Sequence, residues 1–135
     1  PSKISFNELN DMVETGVISK LNTHFLSFYP NVVKSLIKRF DIPATLSIIP
    51  AFFDYDYKKI SSFLEKSKSF GISQHIDSKK SMNLIKKFKE DGKYCIAWTV
   101  NNKKYMRDLI ELSVDAIITD NPNKLMKVIN EKRNG

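Results

Sequence analysis

The sequence alternates, along its whole length, between short apolar runs and segments with helical periodicity. The runs are rich in β-branched residues and end abruptly at polar or aromatic residues, which is typical of buried strands. We predict five strands, at residues 24–28, 45–49, 72–76, 94–100 and 116–119. Strands that alternate with helices form right-handed βαβ units and a parallel sheet. The predicted fold class is therefore α/β.

The segments around these runs carry apolar residues at the spacing of one helix face. Ser5 and Glu8 have the spacing of a capping box, so Ser5 should cap the first helix. The last helix should begin at Asn121-Pro122, with Asp120 as its cap. The predicted apolar faces are Phe6, Leu9, Met12 and Val13; Val32, Val33, Leu36, Ile37 and Phe40; Ile60, Phe63 and Leu64; Leu84, Ile85 and Phe88; Tyr105, Met106, Leu109 and Ile110; and Leu125, Met126 and Ile129.

Two architectures accommodate this alternation: an open doubly wound sheet and part of a (β/α)8 barrel. The dinucleotide-binding fingerprint is absent, because no glycine-rich loop follows any predicted strand. A complete barrel needs about 250 residues, and this chain has 135. Periodicity alone leaves the choice open. Since no linker or change of composition interrupts the pattern, we expect residues 1–135 to form one structural unit.

The charge pattern narrows the range of partners. The net charge of +7 comes mainly from lysines on polar helix faces, the densest group being Lys79, Lys80, Lys86, Lys87 and Lys89. With few arginines and no basic-aromatic strand motif, we expect no nucleic-acid partner, whereas a weak attraction to an anionic membrane surface stays open. No apolar run approaches the length of a membrane span. We also expect no signal peptide at residues 1–5, and the compartment is left open.

Few residues have the chemistry of a catalytic or metal site. His24 and His75 lack a paired carboxylate, so we interpret both as structural. Cys95 lies in an apolar run and is predicted to be a buried, unreactive thiol. Asp54 and Asp56 lie two apart in an aromatic loop, residues 51–57, and this pattern is too common in loops to predict a metal site. If exposed, that loop would enter a membrane interface, but we expect it to be buried.

Two motifs near the end of the chain are specific. They are Gly92-Lys-Tyr-Cys-Ile-Ala-Trp-Thr-Val-Asn101 and Val114-Asp-Ala-Ile-Ile-Thr-Asp-Asn-Pro122. In order and spacing they resemble the seventh and eighth strands of the glycerophosphodiester phosphodiesterase family, although Ser113 and Ala116 replace two glycines. Leu26-Ser27-Phe28 is similar to the end of that family's fourth strand. The resemblance implies the C-terminal part, about five βα units, of a TIM-type (β/α)8 barrel.

The resemblance also implies which chemistry to look for. Family members hydrolyse glycerophosphodiesters to an alcohol and glycerol 3-phosphate with a divalent cation, calcium or magnesium. Their His-Arg, Glu-x-Asp, second His and Glu-x-Lys groups lie on the first three strands, and this sequence has none of them. Phosphodiester cleavage needs such a cation and an acid–base pair. We therefore expect no catalytic residue, no cofactor site and no hydrolysis from this chain alone.

The remaining role that the resemblance implies is substrate binding. Ligands of (β/α)8 barrels bind at the carboxyl ends of the strands. Trp98, Phe28 and Asn101 are therefore expected to form a wall against the alcohol side of a glycerophosphodiester or another lipid-derived molecule. The alternatives are that the two aromatic residues belong to the core and that Asn101, like Thr99, satisfies backbone groups at a turn.

The same resemblance predicts how the isolated unit behaves. An arc of five strands leaves two unpaired edges, so we expect a homo-oligomer, or pairing with a missing N-terminal half of the barrel. A second interpretation of the chain is a non-catalytic binding or regulatory module derived from that barrel. A third is an unrelated open α/β domain, which a doubly wound sheet would support.

Overall fold

The computed structural model describes residues 5–135, so the expectation of no signal peptide at residues 1–5 falls almost entirely outside the described residues. Within them, helices and strands alternate as the sequence predicts. The strands are β1 (Phe25–Ser27), β2 (Ala44–Ile48), β3 (Ile72–His75), β4 (Cys95–Trp98) and β5 (Ala116–Ile117). The helices are α1 (Phe6–Glu14), α2 (Pro30–Phe40), α3 (Tyr57–Lys66), α4 (Lys79–Glu90), α5 (Lys103–Glu111) and α6 (Pro122–Arg133), with a 3-10 helix (Pro50–Phe53) before α3.

The order of the strands decides between the two architectures. The strands form one sheet in the order β1-β2-β3-β4-β5, and every neighbouring pair is parallel. A doubly wound sheet reverses its order at a switch point, and this sheet has no reversal. The arrangement is that of consecutive strands in a (β/α)8 barrel, which confirms the predicted α/β class with parallel strands.

The two faces of the sheet differ in composition. Crossovers of one hand between consecutive strands place the helices on the same side of the sheet. The strand residues on that side, among them Leu46, Ile48 and Ile72, belong to the hydrophobic core. The opposite side, here called the open face, carries the alternate residues of the same strands. It is lined by Leu26, Thr45, Ser47, Ser73, His75, Ile96, Trp98 and Ala116, which face one another in register.

The ends of the helices follow the predicted caps with one correction. The Ser5 hydroxyl accepts from the Glu8 amide at 3.2 Å, and the Glu8 carboxylate accepts from the Ser5 amide at 2.6 Å. Asp120, however, does not cap α6. Asn121 does so, accepting from the Lys124 amide at 3.0 Å, because Pro122 is the first helical residue and the cap stands directly before it.

One side chain of the last helix is oriented differently from the prediction. Met126, predicted on the inner face of α6, is exposed, and Val128 is buried in its stead. The inner face is thus Leu125, Val128 and Ile129, at spacings of three and four residues.

Cys95 is buried, and burial raises the pKa of its thiol to about 12, which confirms an unreactive thiol at neutral pH. No helix among residues 5–135 is both long and apolar enough to cross a membrane.

Candidate ligand-binding site at the carboxyl ends of the strands

A cavity of about 270 Å³ lies on the open face, where the strands end. This is the edge at which ligands bind in (β/α)8 barrels. The cavity brings together two of the three residues predicted as a wall, Phe28 and Trp98. It is lined by Leu26, Ser27, Phe28, Ser47, Ser73, Trp98, Thr99 and Ile118.

Three aromatic rings form the upper part of the open face. The rings of Phe28 and Trp98 meet edge to face, with centroids 5.7 Å apart and an interplanar angle of 88°. On its other side Trp98 contacts His75, with centroids 4.8 Å apart, and the two residues are paired in register between β3 and β4. Phe28 is 54% exposed, and Trp98 is half-buried.

Three polar atoms beside these rings are buried without a hydrogen-bond partner among the described residues. They are the Ser73 hydroxyl oxygen, His75 Nδ1 and the Trp98 indole nitrogen. Buried polar atoms almost always have a partner, so three on the open face indicate where a bound molecule would find hydrogen bonds. Ser73 and Trp98 also line the cavity. Sequence reasoning missed Ser73 and assigned His75 a purely structural role.

Asn101, the third predicted wall residue, does not line the cavity. Its side-chain oxygen accepts from the Thr119 hydroxyl and the Asp120 amide, both at 3.0 Å. Its side-chain nitrogen donates to Asp120 Oδ2 at 2.8 Å, and its carbonyl oxygen accepts from Lys124 at 2.9 Å. Asn101 thus joins the loop after β4 to the loop after β5. A direct contact between Asn101 and a ligand stays a prediction.

His24 lies at the opposite, amino end of the sheet. Its ring stacks on Tyr94, with centroids 5.3 Å apart, and meets the edge of Phe70 at 5.6 Å. His24 Nε2 lies 2.6 Å from the Thr45 hydroxyl oxygen. Burial lowers the pKa of His24, so the neutral ring is favoured, as expected of the structural role predicted for it.

The aromatic loop is divided between core and surface. Phe53 packs on Phe63, with centroids 5.3 Å apart, and Tyr57 packs on Phe88 at 4.7 Å. Phe52, in contrast, is 81% exposed, so the expectation of burial is wrong for this residue. The reason is the 3-10 helix, which turns successive side chains in different directions.

Comparison with known proteins identifies the family. A family model described as the glycerophosphoryl diester phosphodiesterase family matches residues 9–124. The chain belongs to this family. The resemblance read from the sequence motifs is thus confirmed. A search of curated protein sequences gives no significant match.

Solved structures of glycerophosphoryl diester phosphodiesterases share the fold. The structure of a putative glycerophosphoryl diester phosphodiesterase from Agrobacterium tumefaciens matches with a TM-score of 0.79 at 16% identity. The match covers 100% of this chain and 54% of that one. A Parabacteroides distasonis glycerophosphodiester phosphodiesterase matches with a TM-score of 0.69 at 19% identity, over 95% and 50%. An Oleispira antarctica phosphodiesterase, solved with the product sn-glycerol-3-phosphate, matches with a TM-score of 0.69 at 18% identity, over 92% and 48%. This chain therefore spans about half the length of these structures.

Glycerophosphoryl diester phosphodiesterases generally use divalent cations, and the carboxylates in the loops after β2 and β3 do not form a site for such an ion. Within residues 5–135, no group of three or more His, Cys, Asp or Glu side chains could hold a metal. Asp54 pairs with Lys59 at 3.2 Å, and Asp77 accepts from the Tyr55 hydroxyl at 2.9 Å. Asp56 caps α3, and its hydrogen bond from the Lys59 amide lowers its pKa. These carboxylates are engaged in holding loops and a helix end.

Proposed function

We propose that this chain provides the alcohol-side wall of a glycerophosphodiester-binding site, on the C-terminal part of a glycerophosphodiester phosphodiesterase barrel. The observation that carries the proposal is the cavity in which Phe28 and Trp98 meet, beside buried polar atoms that have no partner among residues 5–135. Aromatic rings bury the carbon skeleton of an alcohol. The Ser73 hydroxyl and the Trp98 indole N–H would bind a hydroxyl or phosphoryl oxygen.

The size of the cavity favours a small alcohol. Its volume of about 270 Å³ is just below the range of roughly 300 to 1,000 Å³ that is usual for ligand pockets. In the proposed arrangement Asn101 acts as a positioning residue, because it holds the loop after β4 against the loop after β5. Trp98 stands at the end of β4, directly before this loop.

The chemistry of hydrolysis does not come from this chain in our proposal. The sequence lacks the acidic and basic groups that the family places on its first strands, and the carboxylates in the loops after β2 and β3 have structural partners. The second candidate, a non-catalytic binding module of the same origin, shares these features. Glycerophosphodiester turnover with calcium or magnesium, by the longest form of the protein that contains this sequence, separates the two.

Ligand binding can be measured directly because Trp98 is the single tryptophan of the chain. A glycerophosphodiester of a small alcohol should change the Trp98 fluorescence in a saturable way. Phe28→Ala removes the ring that packs on the indole, and we expect it to weaken binding about tenfold. The matched control is Phe70→Ala, at the amino end of the sheet. Phe70 is 52% exposed, against 54% for Phe28.

The control variant should bind as tightly as the unchanged chain, once circular dichroism has shown that both variants are folded. The proposal fails if the fluorescence titration shows no saturation. It fails equally if Phe28→Ala and Phe70→Ala have the same affinity.

We also propose that the arc of strands pairs with further strands, from a second copy or from another segment of a longer chain. β1 and β5 are the two edges of the sheet, and Leu26 and Ile118 on the open face are each 41% exposed. Unpaired strand edges and exposed apolar residues favour such pairing.

In light scattering we expect the chain to form a dimer or a larger species. Leu26→Asp combined with Ile118→Asp should reduce it to a monomer, because both changes place negative charge on the open face and like charges repel across the paired edges. Met126→Lys, at an exposed apolar residue on α6, should leave the oligomer intact. A folded, strictly monomeric unchanged chain would contradict this proposal.

A further inference from the structure

Four apolar side chains are exposed at the carboxyl end of the sheet, beyond the neighbouring strands β1 and β2. Phe28, Tyr29 and Val32 lie where β1 leads into α2, and Phe52 lies in the 3-10 helix after β2. Because β1 and β2 are adjacent and parallel, these side chains are at the same edge of the sheet. We call them the aromatic rim. Tyr29 is 71% exposed. Single exposed apolar residues are common on protein surfaces, whereas a group of exposed apolar residues is not.

Lysines occupy the rest of the same edge. The first turns of α3, α4, α5 and α6 contain no acidic residue. They contain lysines, here called the lysine arc: Lys58, Lys59, Lys79, Lys80, Lys103, Lys104 and Lys124. A helix amino end already carries partial positive charge and is stabilised by acidic residues. The lysine arc is therefore placed where it opposes helix stability.

The positive charge at this edge is only partly neutralised. The first turns of these four helices contain seven lysines, and the segments that join β2–β5 to them contain four aspartates, Asp54, Asp56, Asp77 and Asp120. The helix dipoles add to the excess of positive charge. Part of the lysine arc is held by neighbours. Lys59 pairs with Asp54, Lys103 with Glu131 and Lys104 with Asp108. The Lys80 ammonium lies 5.6 Å from the ring centroid of Tyr55.

We propose that the aromatic rim and the lysine arc together dock onto an anionic lipid surface. Exposed aromatic rings enter the interface between headgroups and acyl chains, while lysine ammonium groups attract lipid phosphates. A duplex nucleic acid would use the lysines but has its bases already stacked on each other, so it would leave the rings of Tyr29 and Phe52 without an apolar partner, which favours the lipid surface. The cavity opens at the same edge, so a molecule released from lipid would meet it directly.

The test measures how much of the chain sediments with lipid vesicles. Neutral vesicles contain phosphatidylcholine alone, and anionic vesicles contain phosphatidylcholine mixed with phosphatidylglycerol. We expect the chain to bind the anionic vesicles at low salt and to bind neutral vesicles weakly. Phe52→Ser should reduce binding to anionic vesicles about fivefold or more, and Lys79→Glu with Lys80→Glu should reduce it similarly. Phe52 does not line the cavity, so this variant should keep its affinity for a soluble ligand, and failure here is distinct from failure of the proposed function.

Two control variants match these changes in chemistry but lie elsewhere. Met126→Ser removes an exposed apolar side chain from the outer surface of α6, and Lys66→Glu reverses a charge at the carboxyl end of α3. Both should bind anionic vesicles as the unchanged chain does. Equal binding to neutral and anionic vesicles would overturn the proposal. So would full binding by Phe52→Ser, which would indicate attraction to any polyanion, or equal losses in the control variants.

Discussion

Gly71→Ala is expected to cost the fold about 3 kcal/mol or more of its free energy of unfolding. A Cβ at this position would overlap the Tyr94 carbonyl oxygen and would lie 2.7 Å from the Tyr94 Cβ. The same carbonyl oxygen accepts from the Ile72 amide at 2.8 Å, at the start of the pairing between β3 and β4. Because both obstacles belong to a paired strand, the methyl group can be accommodated only by separating the two strands.

The measurement for Gly71→Ala is urea-induced unfolding, followed by circular dichroism and by the fluorescence of Trp98. Gly92→Ala is the matched control, since Gly92 has a φ of +79° but open space around the added Cβ. The control should lower the free energy of unfolding by only about 1 to 2 kcal/mol, because alanine is strained in the left-handed backbone conformation of this position. Equal losses in the two variants would show that contact with Tyr94 does not set the size of the effect.

Asp115→Ala is expected to lower the free energy of unfolding by about 2 kcal/mol at neutral pH. Asp115 Oδ2 accepts from Lys89 at 2.9 Å and from the Cys95 amide at 2.8 Å. The three residues connect α4, β4 and the start of β5. About a quarter of each of the two charged side chains is exposed. Alanine would leave the Cys95 amide and the Lys89 ammonium without this acceptor.

Asp115 also gives the chain a stability that depends on pH. Burial raises the pKa of Asp115, but the hydrogen bonds from Lys89 and the Cys95 amide outweigh burial and lower it below 3.8. The folded state therefore favours the carboxylate more than the unfolded state does. The stabilisation is complete above about pH 5, where the carboxyl group is ionised in the unfolded state as well, and it is lost as the pH falls through the lowered pKa of the folded state.

Urea unfolding between pH 7 and pH 3 tests this dependence. The unchanged chain should lose stability below pH 4 by more than Asp115→Ala does. Glu90→Ala serves as the control, since Glu90 pairs with Lys86 only at 3.9 Å on the surface, and its removal should change stability by less than about 0.5 kcal/mol. If the free energy of unfolding fell equally between pH 7 and pH 3 in the unchanged chain and in Asp115→Ala, the pH dependence would not come from Asp115.

The strands could be located from the sequence because each is a short apolar run between polar residues. Their ends were less certain. β4 was predicted to reach Val100 and ends at Trp98, since residues with strand propensity continue past the point where the backbone leaves the sheet. The 3-10 helix at Pro50–Phe53 has no periodic pattern at this length, so the exposure of Phe52 could not be predicted.

Strand order and the candidate site depend on pairing between distant residues, which local patterns do not contain. The family motifs therefore supplied the barrel, and with it Phe28 and Trp98. His75 and Ser73 gain their meaning from register, because His75 pairs with Trp98 and Ser73 with Ile96. Gly71 likewise matters only through Tyr94 on the next strand. The lysines that follow the helix caps were visible in the sequence, but their common edge was not.

The unbroken order β1-β2-β3-β4-β5 has a consequence for how the protein forms in the cell. Each strand pairs with the strand that left the ribosome just before it, so a new βα unit can add to an edge that already exists. Contacts between segments close in sequence are made quickly, because little chain entropy is lost in closing short loops. Folding can therefore proceed during synthesis from the amino end, and the growing edge at each stage is the surface that a chaperone would have to protect.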